Sequence, residues 1–156
     1  MTTLKISLYG DLEALDDFGN QLFLAKRTAR WTSKVSLSFF RKDKLVLKTH
    51  YYTLLPFSTA KIDAQNLDYY VSLGKNKILI EGIGSIHLEQ SRFASVFSKY
   101  LGKLFFDGDE IAEVTLKNHK SISSLIFEID FSTTREELIF YALVLLAIEN
   151  LDIDGE

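Results

Sequence analysis

The chain contains no cysteine and a single proline, Pro56, in 156 residues. Without thiols there is no disulfide scaffold, no thiolate nucleophile, no cysteine-ligated zinc and no iron–sulfur cluster. Low-complexity runs are also missing. The net charge is only −3 while 47% of residues are apolar, which excludes a mostly disordered chain. The longest apolar run, Leu138–Ile148, has eleven residues against the roughly 20 a spanning helix requires, and acidic residues flank it on both sides, so the chain is expected not to be transmembrane. Met1 to Gly10 has neither a charged segment feeding a long apolar stretch nor a small-residue cleavage site, which predicts no secretion signal and a cytoplasmic location.

Catalytic patterns are equally sparse. No Gly-Lys-Ser/Thr phosphate loop, Gly-x-Ser-x-Gly elbow or dinucleotide fingerprint occurs. The three histidines, His50, His87 and His119, lie too far apart to form a compact metal-ligand pattern and read as surface or hydrogen-bonded residues. Asp107, Asp109 and Glu110 do not continue into a calcium loop and read as a charged hairpin turn. No catalytic, metal or cofactor-binding residue is assigned, and the expectation is a protein that is not an enzyme.

What is present is a dense series of short β-type segments between residues 4 and 131. Leu125, Phe127, Ile129 and Phe131 alternate with Ile126, Glu128 and Asp130, the period of a strand with one buried face. Val35, Leu37 and Phe39, then Leu45 and Leu47 after the charged turn Arg41-Lys42-Asp43-Lys44, predict two strands over 35–49 whose apolar residues share one face. Further turns are marked by glycine beside a polar residue, at Gly19, Gly74 and Gly108, because tight hairpins require positive φ. These turns predict strands near 4–9, 12–16, 21–26, 69–73, 77–81, 84–89, 103–106, 110–117 and 124–131, with a weaker one at 57–62. The total is eleven or twelve.

Two segments depart from the strand pattern. Phe93, Val96, Phe97, Tyr100 and Leu101 recur at helical spacing between Ser91 and Gly102, which predicts a short amphipathic helix over 91–101. At the C-terminus, Thr133 with Glu136, or Thr134 with Glu137, has the spacing of a reciprocal capping box and opens a helix over 135–150. Its body, Leu138–Ile148, has no polar face apart from the hydroxyl of Tyr141. A helix that is apolar all round must be buried all round. About a dozen antiparallel strands wrapped around it satisfy that demand, and the lengths agree: fifteen helical residues and strands of six or seven residues both span about 22 Å. The predicted fold is α+β and mostly β, a single domain over 1–156 in which a closed antiparallel barrel surrounds the C-terminal helix. A β-sandwich with the helix at a dimer interface is the rival arrangement.

This arrangement resembles the tubby C-terminal domain superfamily, which includes the LURP-one-related proteins and the phospholipid scramblases, and the chain looks like a small bacterial-type member. The resemblance is carried by the hairpin Asp107-Gly108-Asp109 running into Glu110–Lys117, by the strand Leu125–Phe131, by the acidic start and apolar body of Arg135–Asn150, and by the early hairpin Asp16–Phe23. It implies a binding role, since tubby domains hold phosphoinositide headgroups through exposed basic residues and scramblases act at membranes.

Charge is unevenly distributed in a way that fits such a role. Residues 26–48 hold eight Lys or Arg against Asp43 alone, whereas 133–156 hold one against six acids. Lys26, Arg27, Arg30, Lys34, Arg41, Lys42 and Lys44, with Trp31 among them, form the candidate ligand-binding surface for anionic lipid headgroups or a protein partner. The competing reading is a solvated strand face whose lysines deter edge pairing. The acidic pI of 5.6 and the absence of a reading helix argue against nucleic acid. A second expectation is an intracellular adaptor or immunity-type protein that neutralises a partner; a small-ligand carrier fits less well, because the helix occupies the barrel interior. Tyr51-Tyr52 and Tyr69-Tyr70 each place one ring on either face of a strand.

Overall fold

A computed structural model describes residues 1–7, 10–29, 33–52, 60–90, 100–117 and 124–149. Six strands form the first half: β1 (Thr2–Ser7), β2 (Leu12–Leu15), β3 (Gln21–Ala29), β4 (Lys34–Arg41), β5 (Lys44–Tyr52) and β6 (Lys61–Gln65). Six more form the second: β7 (Val71–Gly74), β8 (Lys77–Ile80), β9 (Gly84–Gln90), β10 (Tyr100–Phe106), β11 (Asp109–Leu116) and β12 (Ser124–Phe131). The helix α1 (Glu136–Glu149) follows.

All twelve strands belong to one antiparallel sheet in the order β6-β5-β4-β3-β2-β1-β12-β11-β10-β9-β8-β7. Each half is an up-and-down meander, and β1 joins them by pairing with β12 along its whole length, Thr2 opposite Ile129 through Ser7 opposite Ser124. The sheet curls until its edges, β6 and β7, approach each other. That leaves one seam in an otherwise continuous barrel. At this seam the side chain of Gln65 substitutes for strand pairing: its Oε1 accepts the Val71 N–H at 2.8 Å and its Nε2 donates to the Val71 carbonyl at 3.2 Å. One amide side chain thus satisfies both backbone groups of the first residue of β7, which would otherwise be orphaned in a nearly buried position.

Inside the barrel lies α1. Leu138, Phe140 and every residue from Tyr141 to Ile148 are buried, and Ala142 to Ala147 have no exposed surface at all. They meet inward residues of the strands, among them Leu4, Ile6, Phe23, Phe39, Ile78, Ile86, Leu104 and Phe127. Phe140 packs edge-on against Phe23, with centroids 5.9 Å apart, and Phe23 against Phe39 at 5.4 Å. The expected barrel around an apolar helix is therefore observed. Twelve strands supply the wrapper, so no partner subunit is needed to cover the helix.

Several local expectations change. The helix begins at Glu136 without the reciprocal capping box; Thr133 Oγ1 instead accepts the Arg135 N–H at 3.2 Å, because Arg135 is still outside the helix and its donor is closer. Tyr100, Leu101 and Gly102 lie in β10, so the amphipathic helix expected over 91–101 does not extend there; 91–99 fall outside the described residues. The strand expected at 57–62 is β6, Lys61–Gln65, and residues 57–59 lie outside the described set. Tyr69 and Tyr70 precede β7 and are both exposed, instead of lying on opposite strand faces. Leu45 is 42% exposed although Leu47 is buried. A bulge explains it: Phe39 faces Leu47 while Phe40 faces Leu45, so Val46 is the extra residue and the alternation slips. Positive φ is carried by Asn76 where Gly74 was expected to supply it, and by Lys42 and Asp43 in the β4–β5 turn, while Gly19 and Gly108 behave as expected.

Because neighbouring strands alternate in direction, the turns fall at two ends. We call the end at which α1 begins the lower end; it carries the β2–β3, β4–β5, β6–β7, β8–β9 and β10–β11 connections. The Tyr141 hydroxyl reaches the Tyr69 carbonyl there at 3.5 Å. Burial raises the Tyr141 pKa, with the nearby Asp68 carboxylate adding to it and Arg41 and the Tyr69 bond opposing.

Two measurements follow from this packing. Gln65→Ala should cost about 1–3 kcal/mol, the penalty for leaving a buried backbone pair without partners, and should speed hydrogen exchange at the Val71 amide ahead of the barrel at large. Uniform exchange across all strands would show that the seam is not held by Gln65. For Tyr141 the sign follows from its raised folded-state value: the contribution is fully present below the phenol's ordinary pKa of about 10 and is lost as pH rises through the folded value. Tyr141→Phe should therefore flatten the alkaline limb of a stability-versus-pH curve, and an unchanged limb would count against this assignment.

Candidate functional site: a basic outer face on β3–β6

Strand alternation divides the basic run between different surfaces. On β3, Phe23 and Ala25 point inward, which puts Lys26 and Thr28 outside and gives Arg27 the inward parity. Arg27 is half-buried and its Nη2 donates to the Ser7 carbonyl at 3.3 Å, so it ties β3 to the end of β1. On β4, Val35, Leu37 and Phe39 are buried, leaving Lys34, Ser36, Ser38 and Phe40 on the outside. On β5 the buried residues Leu47 and Thr49 leave Lys48 and His50 outward.

Cross-strand register assembles these outward residues into rows. One row runs Lys26–Ser38–Lys48, and the next runs Thr28–Ser36–His50–Lys61. Lys34 lies beside Tyr52 beyond them. With strands about 4.8 Å apart, Lys26 and Lys48 stand about 10 Å apart across Ser38, and Lys61 is a diagonal neighbour of Lys48. The surface is a floor of half-buried serines studded with exposed lysines. Its acid is Asp63, whose Oδ1 is 2.7 Å from His50 Nδ1. His50 also packs edge-on against Tyr52, centroids 5.5 Å apart. Lys26 Nζ lies 5.3 Å from the Phe40 ring centroid, which fixes the ammonium over the sheet.

Arg41, Lys42 and Lys44 belong elsewhere, to the lower end. The Arg41 guanidinium stacks on Phe140 of the helix at 4.3 Å from its centroid, closing the mouth of the barrel. Lys42 lies in the β4–β5 turn and Lys44 opens β5. Arg30 and Trp31 fall outside the described residues. Lys48 closes the linear basic run but is not among its candidate binding residues, and neither are Lys61, Ser36, Ser38 and His50. Lys61 was hidden because its place beside His50 comes from β5–β6 pairing across eleven residues of chain. The two serines were legible as outward strand positions.

The lower end differs in character. Besides Arg41, Lys42 and Lys44 it carries carboxylates at Asp16, Asp17, Asp43, Asp68, Glu81 and Asp107, with Asp109 at the start of β11, and Phe18, 90% exposed, projects from the β2–β3 turn. Asp16 organises that turn: its Oδ1 accepts the N–H groups of Phe18 and Asn20, each at 2.9 Å. The Asn20 N–H bond, above all, holds the Asp16 carboxyl below its ordinary range. His87 is exposed on β9, and Glu110 pairs with Lys103 at 2.8 Å. His119 lies outside the described residues. Among the described residues no three of His, Cys, Asp and Glu come together as metal ligands, and no helix is long and apolar enough to cross a membrane.

Comparison with known proteins gives no match to any family model, curated protein or solved structure.

The Asp16 bonds generate a pH expectation. Its depressed value means the turn persists above the ordinary carboxyl range and loosens as pH falls through the lower folded value. In a carboxyl-detected NMR titration Asp16 should titrate below the ordinary aspartate range, and a midpoint within that range would refute the turn's hold on it.

Proposed function

We propose that this chain is a non-enzymatic binding domain that engages anionic headgroups at a membrane surface through the outer face of β3–β6. The observation that carries this reading is the paired arrangement of Lys26 and Lys48 across Ser38, with Lys61 and Lys34 alongside. Four ammonium groups on one outer strand face raise the local potential against phosphate and carboxylate groups, while the serine hydroxyls supply short-range donors. An array of lysines spread over an open outer surface suits a layer of many headgroups better than a single deep ligand. The resemblance to tubby-like proteins, whose exposed basic residues hold lipid headgroups, points the same way.

The filled interior supports a role in binding instead of catalysis or carriage. Where a lipid-carrying barrel keeps an apolar void, this barrel holds α1, whose residues Ala142 to Ala147 are wholly enclosed. Function is thereby displaced to the outside. A protein partner with an acidic face is the second reading, favoured by the Tyr52 ring beside Lys34 and His50, since aromatic and cationic residues together make interface anchors.

Co-sedimentation with vesicles tests the reading directly. At low ionic strength the protein should bind vesicles containing phosphatidylserine and not neutral phosphatidylcholine vesicles, and 1 M salt should release it. Each of Lys26→Gln, Lys48→Gln and Lys61→Gln should weaken partition about fivefold, from about 1 kcal/mol per lysine near an anionic surface. Lys77→Gln, on β8, should have no effect. Absence of binding at low salt, or equal binding to neutral vesicles, would overturn the membrane reading.

A further inference from the structure

Large apolar side chains that stay exposed are unevenly placed. Among the described residues they are Met1, Phe18, Leu45, Tyr69, Tyr70 and Leu79, and all lie at or next to the lower end. Three of them, Tyr69, Tyr70 and Leu79, converge where β7, β8 and β9 meet. Tyr70 is 64% exposed and Leu79 48%. Between them runs an open groove of about 510 Å³, lined by Tyr70, Ser72, Leu79, Glu81 and Ile83 among others.

Backbone geometry holds the groove in shape. Tyr70 accepts the Glu81 N–H at 2.8 Å, and Ile83 donates to Ile80 at 3.0 Å, so both walls are pinned. Gly84, with φ +151°, leaves space for the Asp107 carboxylate, which accepts the Ser85 N–H at 2.9 Å; a Cβ at Gly84 would collide with it. The groove is thus a built concavity and not a gap between loose side chains.

Its charge has one sign. Glu81 lines it, the Asp107 carboxylate abuts Gly84 in its wall, and no Lys or Arg among the described residues lines the groove. Asp68 and Glu81 take part in none of the salt bridges among the described residues. An apolar cleft of this kind, bearing aromatic anchors and rimmed with carboxylates, repels anionic lipid and complements a cation-flanked apolar residue.

We infer that the groove formed by β7, β8 and β9 at the lower end is a docking site for a basic protein segment carrying one apolar anchor residue. The anchor packs between Tyr70, Leu79 and Ile83, and its flanking Lys or Arg residues meet Glu81 and Asp107. This site is independent of the basic face on β3–β6, since the two surfaces share no residue and select partners of opposite charge.

Selection of a displayed random dodecapeptide library against the intact protein tests it. Selected peptides should be enriched in Lys or Arg around an aliphatic or aromatic residue. Their binding should fall about tenfold or more with Glu81→Lys and with Leu79→Ser, and should weaken with salt; amide shifts on binding should cluster at 68–72 and 79–85. Both replaced side chains reach solvent, and a preserved amide spectrum will show that each variant folds. A synthetic selected peptide with Lys and Arg replaced by Glu should not bind. Acidic selected sequences, indifference to Glu81→Lys, shifts mapping to β3–β6, or failure to select any peptide would each overturn the inference.

Discussion

Everything in this protein answers to the burial of one helix. Ten of the fourteen residues of α1 are buried, and they point in every direction around its axis, so no single sheet face could cover them. A lone helix of this length would not hold together in water, and its stability must come from the contacts around it. Twelve strands curled into a barrel supply those contacts on all sides. The strand interiors in turn depend on the helix, because a barrel of this many strands would otherwise enclose empty space. Neither part has a stable structure alone; each is the other's core.

The closure shows how the polar backbone is accommodated around that core. Pairing of β1 with β12 joins the two halves of the sheet by a full ladder. On the opposite side the edge strands β6 and β7 approach each other without a backbone ladder between them. There a single glutamine amide copies the donor and acceptor of a strand residue, and the Tyr141 hydroxyl reaches the same link from inside. The two polar contacts sit where the apolar wrapper is thinnest.

With the interior occupied, specific chemistry is left to the surface, and the fold sorts that surface by charge. Alternation along β3 to β6 raises lysines on the outside while the same strands send Phe23, Leu37, Phe39 and Leu47 inward. The turns at the lower end gather carboxylates and exposed rings beside the cations of the β4–β5 connection, Arg41, Lys42 and Lys44. The chain therefore presents a lysine-bearing outer face on β3–β6 and, on β7–β9, a groove lined by Glu81 and by no Lys or Arg among the described residues, each suited to a different kind of partner.

The helix, its burial and the need for a wrapper were readable in the linear order, because periodicity and the lack of a polar face are local properties. So were most strands and the glycine turns at Gly19 and Gly108. The bulge at Val46, which exposes Leu45, was not, since a bulge arises from mismatch with a partner strand. The basic run 26–48 announced a charged region but mixed three environments: Arg27 tied to Ser7, Arg41 laid on Phe140, and Lys26 and Lys48 raised over the sheet. Which lysines share a face, that Lys61 joins them, and that Glu81, Tyr70 and Leu79 border one groove depend on pairing between strands distant in sequence. Composition and period determine what must be buried; only the register of the folded sheet decides which exposed residues become neighbours, because register is set by contacts that no short stretch of chain contains.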